Sequence, residues 1–419
     1  MSKGLYLPLK VFLTYIIFTV FVFAFGPWSW PARTSTGVYV LMLGVIGAMY
    51  IGYKVGMRRP SFGYYGSWSA IKLYRISVLI SLLLFLPTLI WRTSGISIAD
   101  TFLNFGEAYS QSHDVSSTVV GQTAWIEYVR MLLSVFLNLP ILILITHWEK
   151  IRRSEKLLGI LSIVLEIFLS LVVGTNIGFG HVFIFVLWGF AIRSRGLVSY
   201  KMLKYVLSFI LPVFLVFFFV FTQGQIDRHD GVGVQDEISF LGISADRDNS
   251  FVAYLPTGAQ EGVIAFSSYL TQGYQGLSYC LDLPFVPTWG AGNSRFLAAY
   301  ADKYLDTSIE KNTYPMRAEV AVGWDSKVHW HTALPWFASD VTFIGAVLLM
   351  GFFSALMAMT WRDAIYSANP YAMSLFAQLA VMFSFISANN QAFQSGDGVI
   401  GFVVTLWCWF FTHRKIKWS

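Results

Sequence analysis

Three side chains late in the 419-residue chain have the chemistry for group transfer: Arg295, His331 and Asp340. Arg295 closes the turn Gly290-Ala291-Gly292-Asn293-Ser294. Glycines such as Gly290 and Gly292 let a backbone approach a ligand closely and expose its N–H groups. Asn293 adds an amide, and arginine's planar fork suits diphosphate oxygens. His331 lies in Lys327-Val328-His329-Trp330-His331-Thr332. A histidine has a pKa near working pH, which suits a general base. Asp340 enters the apolar run that follows, where a carboxylate could orient the histidine or neutralise an arginine. Each residue also has a plainer explanation. The glycine turn matches neither a P-loop nor a dinucleotide fingerprint, and Arg295 could simply reach lipid headgroups. Asp340 fits a helix N-cap or first-turn acid. His-x-His has no third ligand at a recognisable spacing, so no metal site is expected.

A second set of residues offers recognition. Tyr269, Gln272 and Tyr274 present aromatic faces and an amide, Trp330 adds an indole, and Arg317 a guanidinium. Sugars bind to such surfaces by stacking and hydrogen bonding; interfacial anchoring of Tyr and Trp is the alternative. Arg228 and Arg247 have aspartates beside them and are read as locally paired. Within apolar segments, Glu127 and Arg130 stand three apart on one helical face and could pair. Glu166 has no partner along its own helix. Asn389-Asn390-Gln391 either terminates a span or lines a polar cavity.

The elements carrying these residues are membrane elements. Hydrophobic residues make up 56% of the chain, aromatics 17% and charged residues only 12%, about half the usual charged share. A water-soluble globule with 37 Phe and 15 Trp would expose large apolar patches, so soluble enzymes, disordered tails and nucleic-acid modules are excluded. Cys280 and Cys408 are too few for a disulfide scaffold or a cysteine metal cluster. With about 20 apolar residues needed per crossing, about ten spans are expected. They fall near 7–26, 36–54, 72–91, 125–147, 156–174, 177–193, 202–222, 337–360, 371–389 and 397–413, with a tight turn at Gly174-Thr175-Asn176. The first run is too long for a signal-peptide core and is read as a retained anchor. Most of the 29 Lys and Arg fall in short segments on the side of the N-terminus. The +6 balance therefore reflects orientation, with both termini cytoplasmic. Three regions result: residues 1–222 with seven spans and an outer loop at 92–124, a large outer loop at 223–336, and the last three spans at 337–419. Short amphipathic helices lying on the membrane surface are expected in the large loop.

This layout, one dominant outer loop late in a multi-span chain, resembles the Wzy-type O-antigen and capsule polymerases and the related O-antigen ligases. The likeness in sequence is concentrated between Tyr269 and Gly345. TQGYQGLS followed by GAGNSRF is similar to the polymerase loop, and His331 before a helix with Asp340 and Gly345 to the ligase pattern. Relatives often carry an arginine in a Gly-Ser/Thr-Arg turn between central spans; here that turn is Gly174-Thr175-Asn176. Arg295 and Arg317 then become the diphosphate candidates, with Arg92 and Arg130 behind them.

The resemblance implies an all-α, GT-C-like polytopic protein of the bacterial inner membrane with a periplasmic active site. It implies en bloc transfer of an undecaprenyl-diphosphate-linked glycan onto the next lipid-linked repeat, without cofactor or metal. The roles implied are catalysis by His331, Asp340 and Arg295, and substrate binding by Arg317, Tyr269, Gln272, Tyr274, Gly290, Gly292, Asn293 and Trp330. Partners implied are the lipid-linked donor and acceptor, membrane lipid and a chain-length-regulating co-polymerase, with no nucleic acid. A flippase for the same lipid-linked sugar, an O-antigen ligase and a non-enzymatic scaffold are the competing readings. A flippase predicts repeated halves and broken helices at matched positions; Pro87, Pro140 and Pro212 interrupt spans, but no matching halves are seen.

Overall fold

In the computed structural model the described residues are mostly helical. The structure describes residues 4–59, 67–93, 124–172, 175, 177–197, 204, 208, 212, 237–238, 241–326 and 328–415. The first helices are α1 (Leu7–Phe25), α2 (Thr36–Arg58), α3 (Ser67–Thr93), α4 (Ala124–Leu137), α5 (Leu139–Thr146), α6 (Arg153–Leu171) and α7 (Ile177–Arg193). Two antiparallel two-residue strands, β1 (Glu237–Ile238) and β2 (Ile243–Ser244), precede α8 (Thr257–Leu281), α9 (Arg295–Leu305), α10 (Ile309–Asn312) and α11 (Tyr314–Val322). The last helices are α12 (Leu334–Tyr366), α13 (Pro370–Ser384) and α14 (Gly396–Lys415). The expected span at 202–222, the turn residues Gly174 and Asn176, and most of the loop at 92–124 lie outside the described residues, as does Arg228.

The protein is built for a membrane. Five helical stretches, Leu7–Phe25, Thr36–Arg58, Ser69–Thr93, Trp125–Thr146 and Leu334–Tyr366, are long and apolar enough to cross one; α7, α13 and α14 are shorter apolar helices. Leu43, Ile51, Leu83, Leu132, Ile344 and Leu348 turn outward from these helices, which suits hydrocarbon and not water.

Apolar surface does not drive helices together in lipid, so close packing must. The tightest pair, α2 and α12, run parallel through a stripe of small residues, Gly44, Ala48, Gly52 and Gly56, facing Val347, Gly351 and Ala355. A Cβ at Gly52 would strike the Gly351 carbonyl oxygen, and one at Gly56 that of Ala355. Ser354 Oγ donates to the Met49 carbonyl at 2.8 Å, and Arg362 caps the end of α2 through the Met57 (2.7 Å) and Gly56 (3.1 Å) carbonyls.

Three boundaries depart from the sequence reading. The fourth span divides into α4 and α5 at Asn138, because Pro140 supplies no N–H to continue the ladder. The eighth begins at Leu334, not 337, and carries a break at Thr342 (φ 66°, ψ 169°), a conformation disfavoured for a β-branched residue. The large loop holds the short helices α9, α10 and α11, as expected, and one long helix besides. Its main helix, α8, is buried along much of its length from Gly262 to Cys280 and packs on the C-terminal part of α1, where Tyr274 meets Thr19 and Phe23. Trp28 and Trp30 stack on each other, their centroids 5.0 Å apart, and run along α8. Trp28 Nε1 donates to the Ile264 carbonyl (3.0 Å), Trp30 Nε1 to Thr271 Oγ1 (2.9 Å), and the Ala32 N–H to Gln275 Oε1 (2.9 Å). Internal partners for its polar side chains allow this mixed sequence to be buried.

Candidate functional site

The site begins with two glycines of α8, Gly273 and Gly276. A Cβ at Gly273 would strike the Ser387 carbonyl oxygen and approach the Thr332 nitrogen to 2.7 Å; one at Gly276 would strike the Trp330 carbonyl. Without side chains there, segment 329–332 lies directly against α8. Gln272 fixes its register: Oε1 accepts the Trp330 N–H at 3.0 Å, and Nε2 donates to His329 Nδ1 at 3.0 Å. The Trp324 indole donates to the Trp330 carbonyl at 3.0 Å. The backbone N–H groups of His331 and Thr332 donate to the Ala388 carbonyl at 3.2 and 3.0 Å, drawing in the turn between α13 and α14.

The same turn grips the start of α9. Asn390 Nδ2 donates to the Asn293 carbonyl at 2.7 Å, and the Arg295 N–H to Gln394 Oε1 at 3.3 Å. His331, Arg295, Asn390 and Gln394 therefore meet where three distant segments converge. Each amide has one end engaged; Asn390 Oδ1, Gln394 Nε2 and His331 Nε2 are buried without a hydrogen-bond partner. Buried polar atoms rarely go unpaired, so three at one junction mark a place with capacity to bind.

His331 is 2% exposed. Burial pushes its pKa down to about 3, assisted by the positive charge of Arg295 and opposed by a hydrogen bond to the His329 carbonyl. Its ring is thus neutral near pH 7, donating to that carbonyl on one side and leaving Nε2 as a bare acceptor. Burial also lowers the His329 pKa, partly offset by Asp325. Arg295 is partly exposed; its Nη2 donates to Ser326 Oγ at 3.3 Å, and its guanidinium carbon lies 6.0 Å from the Trp336 ring centroid.

Asp340 has a different place from the one expected. It does not hold His331. One carboxylate oxygen accepts from Thr288 Oγ1 and from the N–H groups of Gly290 (2.8 Å) and Gly292 (3.0 Å); the other accepts from Asn293 N (2.8 Å) and Nδ2 (2.9 Å). The N–H groups expected to face a ligand are thus folded around an internal anion, and Asp340 positions the turn that presents Arg295. Gly290 supplies a positive φ of 88°, and a Cβ at Gly292 would strike Thr288 Oγ1.

The residues expected to recognise sugar are largely internal. Tyr274 is fully buried, its hydroxyl 2.8 Å from Thr19 Oγ1. Gln272 is 6% exposed with both amide ends engaged. Tyr269 meets Trp330 edge to face at 5.6 Å, both rings partly buried. Arg317 turns away from His331, donating to the Pro284 carbonyl at 2.7 Å beside the Tyr314 ring. Gln394, Thr288 and Ser326 carried no sequence signal; Asn390 was visible only as part of a polar triplet.

A separate ionic cluster joins α4, α6 and α14. Arg130 pairs not with Glu127 but with Glu166 of α6 (2.7 Å) and Asp397 of α14 (3.3 Å), and also donates to Thr88 Oγ1 (3.3 Å). Arg92 donates to the Leu169 carbonyl at 3.1 Å and adds its charge to the same group. Arg130 is 4% exposed, whereas Glu166 and Asp397 keep 35% and 32% of their side chains accessible. Among the described residues, no three His, Cys, Asp or Glu side chains gather as a metal site.

Comparisons with protein-family models, curated proteins and solved structures return no match.

Proposed function

We propose that this chain is a membrane glycosyltransferase that polymerises undecaprenyl-diphosphate-linked oligosaccharide repeats into O-antigen or capsular polysaccharide. In this reading it is a ten-span, GT-C-like protein of the bacterial inner membrane. Both termini face the cytoplasm, and the junction of α8, α9 and the α13–α14 turn lies on the periplasmic side. The observation that carries the reading is the convergence of the segments bearing His331, Arg295, Asn390 and Gln394, tied by the His331 N–H to the Ala388 carbonyl, Asn390 Nδ2 to the Asn293 carbonyl and the Arg295 N–H to Gln394 Oε1, with three buried polar atoms left unpartnered on them.

The chemistry follows from these groups. An acceptor sugar hydroxyl attacks the anomeric carbon of the donor chain, and the bond from that carbon to the diphosphate oxygen breaks. Arg295 stabilises the charge that develops on the leaving diphosphate, where fixed positive groups act most strongly. The hydroxyl proton passes to His331 Nε2. A histidine with a pKa near 3 is a weak base at rest, but a diphosphate anion beside it favours the imidazolium and raises its basicity. Asn390 and Gln394 offer one acceptor and one donor for sugar hydroxyls. Asp340 acts through the glycine turn, and Arg317 contributes by leaving Pro284 for the donor.

The test is a gel of surface polysaccharide from cells carrying Arg295→Ala or His331→Ala at matched membrane levels. Single-repeat glycans in place of a ladder are expected, and an unchanged ladder in both variants overturns the reading. The intramembrane Arg130–Glu166–Asp397 cluster favours a second reading, a flippase, since such charges often line transport paths. A flippase defect removes surface glycan altogether. A ligase defect leaves long polymer on the lipid carrier.

A further inference from the structure

The expected sugar-facing tyrosines, Tyr269 and Tyr274, are packed inward, yet a different aromatic row lies beside Arg295. Arg295 opens α9, and Phe296, Tyr300 and Tyr304 follow at four-residue spacing, which places them along one face. The Phe296 and Tyr300 centroids are 4.3 Å apart, and those of Tyr300 and Tyr304 5.7 Å. Tyr128 of α4 closes the row from the side, edge-on to Tyr300 at 6.2 Å, its hydroxyl 3.0 Å from that of Tyr304. Glu127, which precedes Tyr128 on α4, lies close enough to Tyr300 and Lys303 of α9 to interact with both. Tyr304 is 60% exposed and Tyr128 38%, so the row is open to a ligand.

We infer that Phe296, Tyr300, Tyr304, Tyr128 and Glu127 form a glycan-binding track that leads the saccharide chain away from Arg295. This rests on the reading of the Arg295–His331 junction as a glycosyl-transfer site and names where its polymer lies. Aromatic rings offer flat apolar faces to sugar C–H surfaces, while the tyrosine hydroxyls and the carboxylate bond sugar hydroxyls. The row covers about 12 Å along the helix axis, the length of a short oligosaccharide. A lipid contact draws on the same preference of Tyr and Trp for headgroup depth, and binding to lipid vesicles separates the two. Here the rings brace one another and carry an acid and a base among them. Continuity with Arg295 on the same helix gives the track a direction.

The experiment uses the full chain in nanodiscs, with surface polysaccharide released from the producing cells as probe and dextran as control. Tyr300→Ala and Tyr304→Ala should each weaken binding of that polysaccharide about tenfold, the loss of roughly one stacking contact, and shorten the ladder. Tyr300→Phe keeps the ring and separates stacking from a folding defect; it should bind more tightly than Tyr300→Ala at an equal melting temperature. Wild-type affinity in both alanine variants overturns the track. So does a loss confined to binding of phosphatidylglycerol vesicles, which would make the row a lipid contact. Arg295→Ala should retain polysaccharide binding while losing the ladder. If the tyrosine variants lose binding but Arg295→Ala and His331→Ala keep a full ladder, the transfer reading fails and the track stands.

Discussion

Asp340 holds Asn293 twice, through its backbone N–H at 2.8 Å and its side-chain amide at 2.9 Å. With Thr288, Gly290 and Gly292 also donating, the carboxylate is the centre around which the turn before Arg295 folds. Asp340→Ala should leave those donors to water and destabilise the protein by about 2–3 kcal/mol. The turn itself should open. Faster proteolysis between residues 288 and 294, together with a lower melting temperature in detergent, is the expected result. An unchanged turn would show that the backbone holds itself.

Gly273 and Gly276 bring α8 against segment 329–332. Alanine at either site forces a Cβ into a carbonyl oxygen, that of Ser387 or of Trp330, and backbone yields less readily than a side chain. Each substitution should cost about 1–3 kcal/mol. Gly258→Ala, on the same helix with nothing within 4 Å of the added carbon, should change stability by less than about 0.5 kcal/mol. Thermal melts of the three variants check the contrast.

The buried His331 makes stability depend on pH. Its folded pKa, about 3, lies below the unfolded value of about 6.5. Between those values the unfolded state binds more protons, so stability rises with pH across that window. The penalty is absent above the unfolded pKa and grows as pH falls toward 3. Melting temperature should therefore drop on acidification from pH 7 to pH 4, and His331→Gln should flatten that slope.

Arg130 joins α4 to α6 and α14 through two carboxylates. Its removal leaves the partly exposed Glu166 and Asp397 with the charge of Arg92 but without their hydrogen-bonded partner, so Arg130→Ala should destabilise by about 1–3 kcal/mol. Glu127→Gln should cost far less, because Glu127 is not paired with Arg130. Equal losses in the two variants, measured by unfolding in one detergent, would restore the local i, i+3 pairing that the sequence suggests.

The sequence alone determined the class of the protein. Its 56% hydrophobic content and long apolar runs require lipid, and a run such as Leu7–Phe25 can only be a helix, because no other single segment satisfies its own backbone there. Arg295, His331, Asp340 and the glycine turn could also be picked out, since residue types with chemical capacity are local information. Tertiary structure decided their partners. Asp340 and His331 stand nine residues apart, yet the carboxylate turns to donors about fifty residues upstream. Arg130 reaches past Glu127, one turn away, to acids on two other helices. Tyr274 has the composition of a sugar platform but faces Thr19, while Tyr300 and Tyr304 lie open. Spacing along a helix fixes only which face a side chain shares. Which helix then covers that face is set by close packing of small residues such as Gly273 and Gly276, whose contacts with Ser387 and Trp330 join segments far apart in the sequence.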